Sequence, residues 1–227
     1  MVLVRSLIFD MDGVLIDSNP WHQRVWAEFC QRHGLPLTPD RVEWMYGKRN
    51  DEIVDAWFGG ERSAAERLRL GHEKEALFRE SLRGRVMDIA VPGLHDLLRR
   101  YDAYPVAVAS NAEIENLEFV IRGLGLGQRF EAVVSGGEVQ RPKPDPEVYL
   151  VAAERLGVGP GECLVFEDTA NGVAAARAAG MRAVGLSTTT TDLPGAELVV
   201  EDFRSPALQQ FLAAVVAPAP VAGGCRP

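Results

Sequence analysis

Asp10 and Asp12, in "FDMDGVLIDS" at 9–18, close an apolar run and are followed at once by Gly13. Two like charges at the end of a buried strand repel, so the pattern calls for something that compensates them. Polar residues recur at the ends of later apolar runs: Ser110 and Asn111 after "YPVAVA", Ser135 after "FEAVV", and Glu167 and Asp168 after "CLVF". Lys143 stands in "RPKPDP", just ahead of the helix that leads into the last of these runs.

Taken singly, each feature has an ordinary structural role. An isolated D-x-D-G is a turn, Ser110-Asn111 is a helix cap, "RPKPDP" is a stiff connection, and Thr169 in "FEDTANGV" is an N-cap. None of these explains why four acids and the loop lysine gather at one end of one sheet. A site for a metal and a phosphate does. Hard divalent cations such as Mg2+ choose carboxylate and carbonyl oxygens and keep waters that a substrate phosphate can replace. Between such an ion and a lysine, phosphoryl charge is compensated, which is most of what phosphoryl transfer asks of a protein. Asp10 can then attack phosphorus as a carboxylate nucleophile. Asp12, offset by two along an extended chain, can serve as acid and then base. Ser110 offers a hydroxyl and a backbone N–H, and the amides after Asp10 offer others.

The elements that must carry these residues alternate. Val4–Asp10 is a near-continuous apolar run, which suits a parallel strand covered on both faces. The next strand, 104–109, comes only after roughly ninety residues. The stretch between reads as helices. Ser18 or Asn19 caps the first, with Pro20 in its first turn and Gly34 past its end. Thr38-Pro39 opens a second that Gly47 can close. Asn50 or Asp51 caps a third ending at Gly59, and Ser63–Leu82 makes a charge-laced fourth. From Val91 onward helices and strands alternate: helix 93–100, strand 104–109, helix 112–123, strand "FEAVVS", helix "DPEVYLVAAERLG", strand "CLVFED", an Ala-rich helix ending at Gly180, then "RAVGLS" and "AELVV". In "DPEVYLVAAERLG", Asp145 is the expected cap, Pro146 a first-turn residue and Gly157 the stop. Such alternation implies right-handed crossovers and a parallel sheet. The expectation is an α/β, doubly wound parallel sheet in which an all-helical unit is inserted after the first strand. Residues 1–17 and 87–216 form the core, 18–86 the insert, and the Pro/Gly-rich 217–227 a frayed tail.

Composition bounds the rest. The chain has 227 residues, 47% hydrophobic and 25% charged, enough to bury a proper core. A net charge of −8 opposes the basic footprint of a nucleic-acid binder. Three cysteines, Cys30, Cys163 and Cys225, lack C-x-x-C spacing and cannot all pair, which suits a reducing cytoplasm. "MVLVRSLIF" lacks the features of a signal peptide, and no apolar stretch reaches the length of about 18 residues that crosses a bilayer. No membrane partner is expected.

"DMDGVLIDS", "SNAEI", "KPDPEVY" and "FEDTANGVAAARAAGM" together resemble the four ordered motifs of the haloacid dehalogenase superfamily, in its phosphatase and phosphomutase branch with a helical cap. The likeness runs over roughly residues 4–190. It implies a Rossmann-like core, Asp10 as the phosphorylated nucleophile and Asp12 as acid and base. It implies Mg2+ on the Asp10 side chain, the Asp12 main-chain carbonyl and Asp168, with Glu167 acting through water. Ser110, Lys143 and Asn111 would hold phosphate. Gly13 and Asp17 match the loop pattern without a role of their own. His22 and Trp26 resemble an H-x-x-x-W segment of β-phosphoglucomutases and several sugar phosphatases, which makes His22 a candidate substrate residue from the cap; its ordinary role is that of a satisfied helix-surface histidine.

"YGKRNDE" at 46–52 resembles the cap loop, with Lys48 and Arg49 as candidate substrate residues. The mutases carry a lysine before the glycine and an arginine three or four residues after it. Here Tyr46 precedes Gly47, and Asn50 or Asp51 falls at the arginine position. A mutase must bind two phosphates and a phosphatase one, so the expected function is Mg2+-dependent hydrolysis of a small sugar or polyol phosphate, with β-phosphoglucomutase as the alternative. A receiver would place its phosphate-accepting Asp after an internal strand and carry no large helical insert. A silent phosphate-binding module would have no use for Asp12. The oligomeric state leaves no trace in the sequence. "RGLGLGQ" at 122–128 follows a helix and lacks G-x-G-x-x-G spacing, so it reads as a helix stop.

Overall fold

The computed structural model describes residues 2–45, 48, 50–58 and 62–218. The expected helix stops at Gly47 and Gly59, the cap-loop residues Tyr46 and Arg49, Cys225, and the tail from 219 onward lie outside the described residues.

Among the described residues, six parallel strands form one sheet: β1 (Ser6–Phe9), β2 (Val106–Ala109), β3 (Ala132–Val134), β4 (Cys163–Glu167), β5 (Arg182–Leu186) and β6 (Leu198–Val200). Their order is β3-β2-β1-β4-β5-β6. The chain winds out from β1 to one edge, returns, and winds to the other. That reversal is the topological switch point at which ligands bind in such sheets. Register makes it specific: Phe9 pairs with Val108 on one side and Phe166 on the other, so Asp10, the end of β2 and Glu167 come level.

Alternation along β1 sends its side chains to two cores. Leu7 and Phe9 pack with α5 (Leu94–Arg100), α6 (Ile114–Gly123) and α9 (Pro206–Val215), whereas Ile8 packs with α7 (Glu147–Leu156) and α8 (Ala170–Ala178). Both faces are covered, which is why the strands read as unbroken apolar runs.

Between β1 and β2 stand α1 (Asn19–Arg32), α2 (Pro39–Met45), α3 (Asn50–Phe58) and α4 (Ala64–Ser81). They close on a core of their own that includes Trp26, Phe29, Ile53, Trp57 and Leu70. The local signals hold. Ser63 and Glu66 form a capping box at the start of α4, and Gly157 ends α7 at φ +67°.

Several boundaries differ from expectation. The first strand is Ser6–Phe9 rather than Val4–Asp10, because Val4 pairs only as a single bridge with Val216. Pro146 stands just ahead of α7 rather than in its first turn, while Asp145 Oδ1 accepts from the Glu147 N–H at 3.1 Å. No element was expected after β6, yet α9 is there. Ser205 caps it, Pro206 begins it, and Leu208, Leu212 and Val215 recur on its buried face. The expected tail is anchored at its first residue: Ala217 N–H donates to the Val4 carbonyl at 2.8 Å, and its carbonyl accepts from Tyr104.

Candidate active site

Asp10 leaves β1 with its N–H donating to the Phe166 carbonyl at 3.0 Å, and its side chain is buried. Lys143 meets it there. Nζ of Lys143 lies 2.6 Å from Asp10 Oδ1, 2.8 Å from Glu167 Oε1 and 3.0 Å from the Ala109 carbonyl, over the Tyr149 ring. A buried ammonium with three acceptors is fully satisfied and fixed. Burial works against its charge, but Asp10 and Glu167 push its pKa up to about 12.

Glu167 sits deeper. Its Oε1 also accepts from the Tyr149 hydroxyl at 2.8 Å, and Oε2 accepts from the N–H groups of Asp168 and Thr169 and the Thr169 hydroxyl at 2.9–3.0 Å. The sequence cast Glu167 as a water-mediated metal ligand. In the structure both of its oxygens accept from protein groups, and Oε1 holds Lys143. Gly172 is required for this, since a Cβ there would lie 1.8 Å from Glu167 Oε1.

Asp168 is buried beside Asp10 on the cavity wall. Gly13, at φ +70°, passes so close that a Cβ would lie 1.8 Å from Asp168 Oδ2. Burial first, then Glu167 and Asp10, raises the Asp168 pKa well above the usual carboxylate range. Burial, together with Glu167 and Asp12, pushes Asp10 up to about 7 although Lys143 opposes it.

Asp12 has different surroundings. Its Oδ1 accepts from the Ser18 hydroxyl at 2.5 Å and lies 3.1 Å from His22 Nε2. Burial opposes ionisation, yet His22, Ser18 and Lys74 hold its carboxyl below the usual range. Lys74 Nζ lies 2.8 Å from His22 Nδ1. An ammonium can only donate, so Nδ1 accepts and the ring proton sits on Nε2, pointing at Asp12. The ring lies flat on Phe78, with centroids 4.1 Å apart. Both ring nitrogens of His22, expected to meet substrate, are thus engaged by the protein.

The remaining site residues separate. Ser110 is buried with its hydroxyl accepting from the Ala112 N–H at 3.3 Å, but its own N–H donates to the Val134 carbonyl at 3.0 Å. The expectation that this N–H serves phosphate is corrected: the end of β3 already uses it. The N–H groups of Gly13 and Val14 are likewise turned inward, to Ile16 and Met11. Asn111 Oδ1 accepts from the Lys143 N–H at 3.2 Å, which fixes the lysine loop. Lys48 lies on the cavity wall against Trp44, with Nζ 4.0 Å from Glu52.

Asp10, Asp12, Ser110, Lys143 and Asp168 open on one cavity of about 740 Å³. Its far wall, from α3, α4 and the start of α6, carries Asn50, Ile53, Leu68, His72, Glu75 and Glu113. Glu75 is buried and accepts from Lys74 at 2.8 Å, Asn50 at 2.7 Å and Asn116 at 2.5 Å. Lys74, Glu75 and Tyr149 were not singled out in the sequence. The first two sit in a helix whose charges read as solvated, and only the quoted "KPDPEVY" touched the third.

Residues 4–180 match the family of haloacid dehalogenase-like hydrolases. Fructose-1-phosphate phosphatase YqaB of Escherichia coli is 35% identical over 181 residues, 79% of this chain and 94% of its own. β-Phosphoglucomutase of Bacillus subtilis is 29% identical over 202 residues, 87% and 89% of the two chains. Among solved structures, a family IA, variant 3 hydrolase of this superfamily from Entamoeba histolytica superposes with a TM-score of 0.84 at 26% identity, covering 93% of this chain and 99% of that one. The chain belongs to the haloacid dehalogenase-like hydrolases, in the branch that holds sugar phosphatases and phosphomutases.

Proposed function

We propose that the chain is a Mg2+-dependent phosphatase that hydrolyses a small sugar or polyol monophosphate through a phospho-aspartyl intermediate on Asp10. The observation that carries this reading is the pairing of Asp10 with Lys143 at 2.6 Å in the same cavity as a separately held Asp12.

The residues fit the metal. Asp10, Asp168 and Glu167 are buried together with one ammonium among them, an excess of negative charge that a hard divalent cation offsets. Among the described residues no three His, Cys, Asp or Glu side chains form a ready cage. Mg2+ does not require one, since it takes one or two carboxylates and fills its shell with carbonyl, water and phosphate oxygens. Asp10, Asp168 and the Asp12 carbonyl would hold it, and when bound it supplies charge compensation for the phosphoryl oxygens.

In the first half-reaction an Asp10 carboxylate oxygen bonds to phosphorus as the bond to the ester oxygen breaks. Asp12, ionised in the free site, takes up a proton as the substrate phosphate binds and passes it to that leaving oxygen. Asp12 then takes a proton from water, whose oxygen bonds to phosphorus while the bond to Asp10 breaks. Lys143 holds Asp10 in place and, with the Ser110 hydroxyl, faces the phosphoryl group. The helices of 18–86 would act as a cap that excludes bulk water.

Phosphatase is favoured over mutase by the far wall. A mutase must seat a second phosphate there, yet Glu75 and Glu113 present carboxylates to it, with Lys74 2.8 Å from Glu75 and the His72 ring 3.1 Å from Glu113, while Lys48 and Arg67 on the same cavity face Glu52 and Asp55 at 4.0 and 3.4 Å. Such a wall suits the hydroxyls of a sugar or polyol. Incubation with Mg2+ and fructose 1-phosphate, hexitol phosphates or β-glucose 1-phosphate, following free phosphate and positional isomers, tests the reading. Phosphate release is expected to dominate and to vanish in Asp10→Asn. Isomerisation outrunning release would select the mutase.

A further inference from the structure

The loop after β5 reads "STTTTD" at 187–192, four threonines that composition alone assigns to a solvated turn. The structure draws two of them into the site. Thr188 Oγ1 donates to the Gly13 carbonyl at 2.6 Å, joining this loop to the one that follows β1. Thr189 Oγ1 donates to Asp168 Oδ2, and Asn19 Nδ2, in the first turn of α1, donates to Thr189 Oγ1.

The direction of this chain is set by its chemistry. An amide NH2 can only donate, so the Thr189 oxygen receives from Asn19, and its single proton goes to Asp168. Hydrogen bonds so aligned polarise and strengthen one another. Asp168 Oδ2 is thereby held between the Thr189 hydroxyl and the backbone of Gly13, where not even a methyl group fits.

We propose that Thr189 is the residue that positions Asp168 for the divalent cation, and that Asn19 completes this support from the helical insert. The affinity of the site for metal is then set in part by the first turn of α1, which also reaches Asp12 through Ser18 and His22. The inference rests on the reading of Asp10 and Asp168 as holders of Mg2+.

The test is calorimetric titration of the whole chain with MgCl2, without substrate. Wild type is expected to bind. Thr189→Val, which keeps shape and removes the hydroxyl, is expected to weaken binding about 10-fold or more, the usual effect of losing an outer partner of a ligand. Thr189→Ser is expected to stay within about 2-fold of wild type, and Asn19→Ala to lose about 3-fold, less than the valine variant because it leaves the hydroxyl in place. Wild-type affinity in a folded Thr189→Val protein, with or without a lowered melting temperature, overturns the inference and leaves the metal reading standing. Should the valine variant fail to fold, wild-type affinity in Asn19→Ala overturns it. A wild type that binds no Mg2+ overturns the metal reading and this inference with it.

Discussion

Nε2 of His22 lies 3.1 Å from Oδ1 of Asp12, and Lys74 on the other ring nitrogen leaves the proton on that side. In the proposed mechanism the histidine then orients the acid. His22→Phe keeps the stack on Phe78 and loses the donor. It is expected to lower kcat about 10- to 100-fold, part of what a positioned acid contributes, while KM stays within about 3-fold. Steady-state kinetics on the best phosphoester decides it, and a raised KM with unchanged kcat would return His22 to the substrate.

Lys143 is the cation among buried Asp10 and Glu167, at 2.6 and 2.8 Å. Lys143→Met leaves uncompensated charge in the core and is expected to cost about 3–5 kcal/mol in urea unfolding, besides abolishing turnover. Adding Glu167→Gln should recover part of that stability, because the two side chains act as one unit. A double variant less stable than Lys143→Met would contradict the coupling.

Gly13 and Gly172 carry carboxylates where a Cβ would stand: Asp168 Oδ2 and Glu167 Oε1, each at 1.8 Å. Gly13→Ala also meets a φ of +70°. Each alanine variant is expected to lose phosphatase activity by about 100-fold or more through misplacement of groups that must be held to within about an ångström. Far-UV circular dichroism should remain native, and an active Gly172→Ala would show that Lys143 does not depend on Glu167.

Burial pushes Asp10 up to about 7 from 3.8 and raises Asp168 as well. The folded protein then holds protons that the unfolded chain releases above about pH 4, so without a divalent cation its stability is expected to fall as pH rises from about 4 to about 7. On the proposed reading Mg2+ takes the place of those protons. Its stabilising effect should therefore be small near pH 5 and grow toward pH 8. Melting temperatures with and without MgCl2 across that range check the sign, and a shift that shrinks as pH rises would contradict it.

Much of this protein is written locally. Apolar runs that end in Asp10, Ser110, Ser135 and Glu167 mark the strands and the rim, since a strand buried on both faces must be apolar until it leaves the sheet. Ser63 with Glu66, and Gly157, mark helix ends because capping depends on neighbours a few residues away. Even α9 carried its signals in Ser205-Pro206 and the spacing of Leu208, Leu212 and Val215.

The support of the site is another matter. Lys74 and Glu75 have the spacing of a solvated helix face, yet α1, α3 and α6 bury them, and His22 is brought to Lys74 across 52 positions. Thr189 reads as a loop residue until β4 and β5 lie side by side and set it against Asp168. Whether a charge is solvated or paired, and which hydroxyl meets which carboxylate, depends on what packs over it. Residue type and spacing determined the fold and the candidate reacting groups, while only the packed structure decided which partners hold those groups in place.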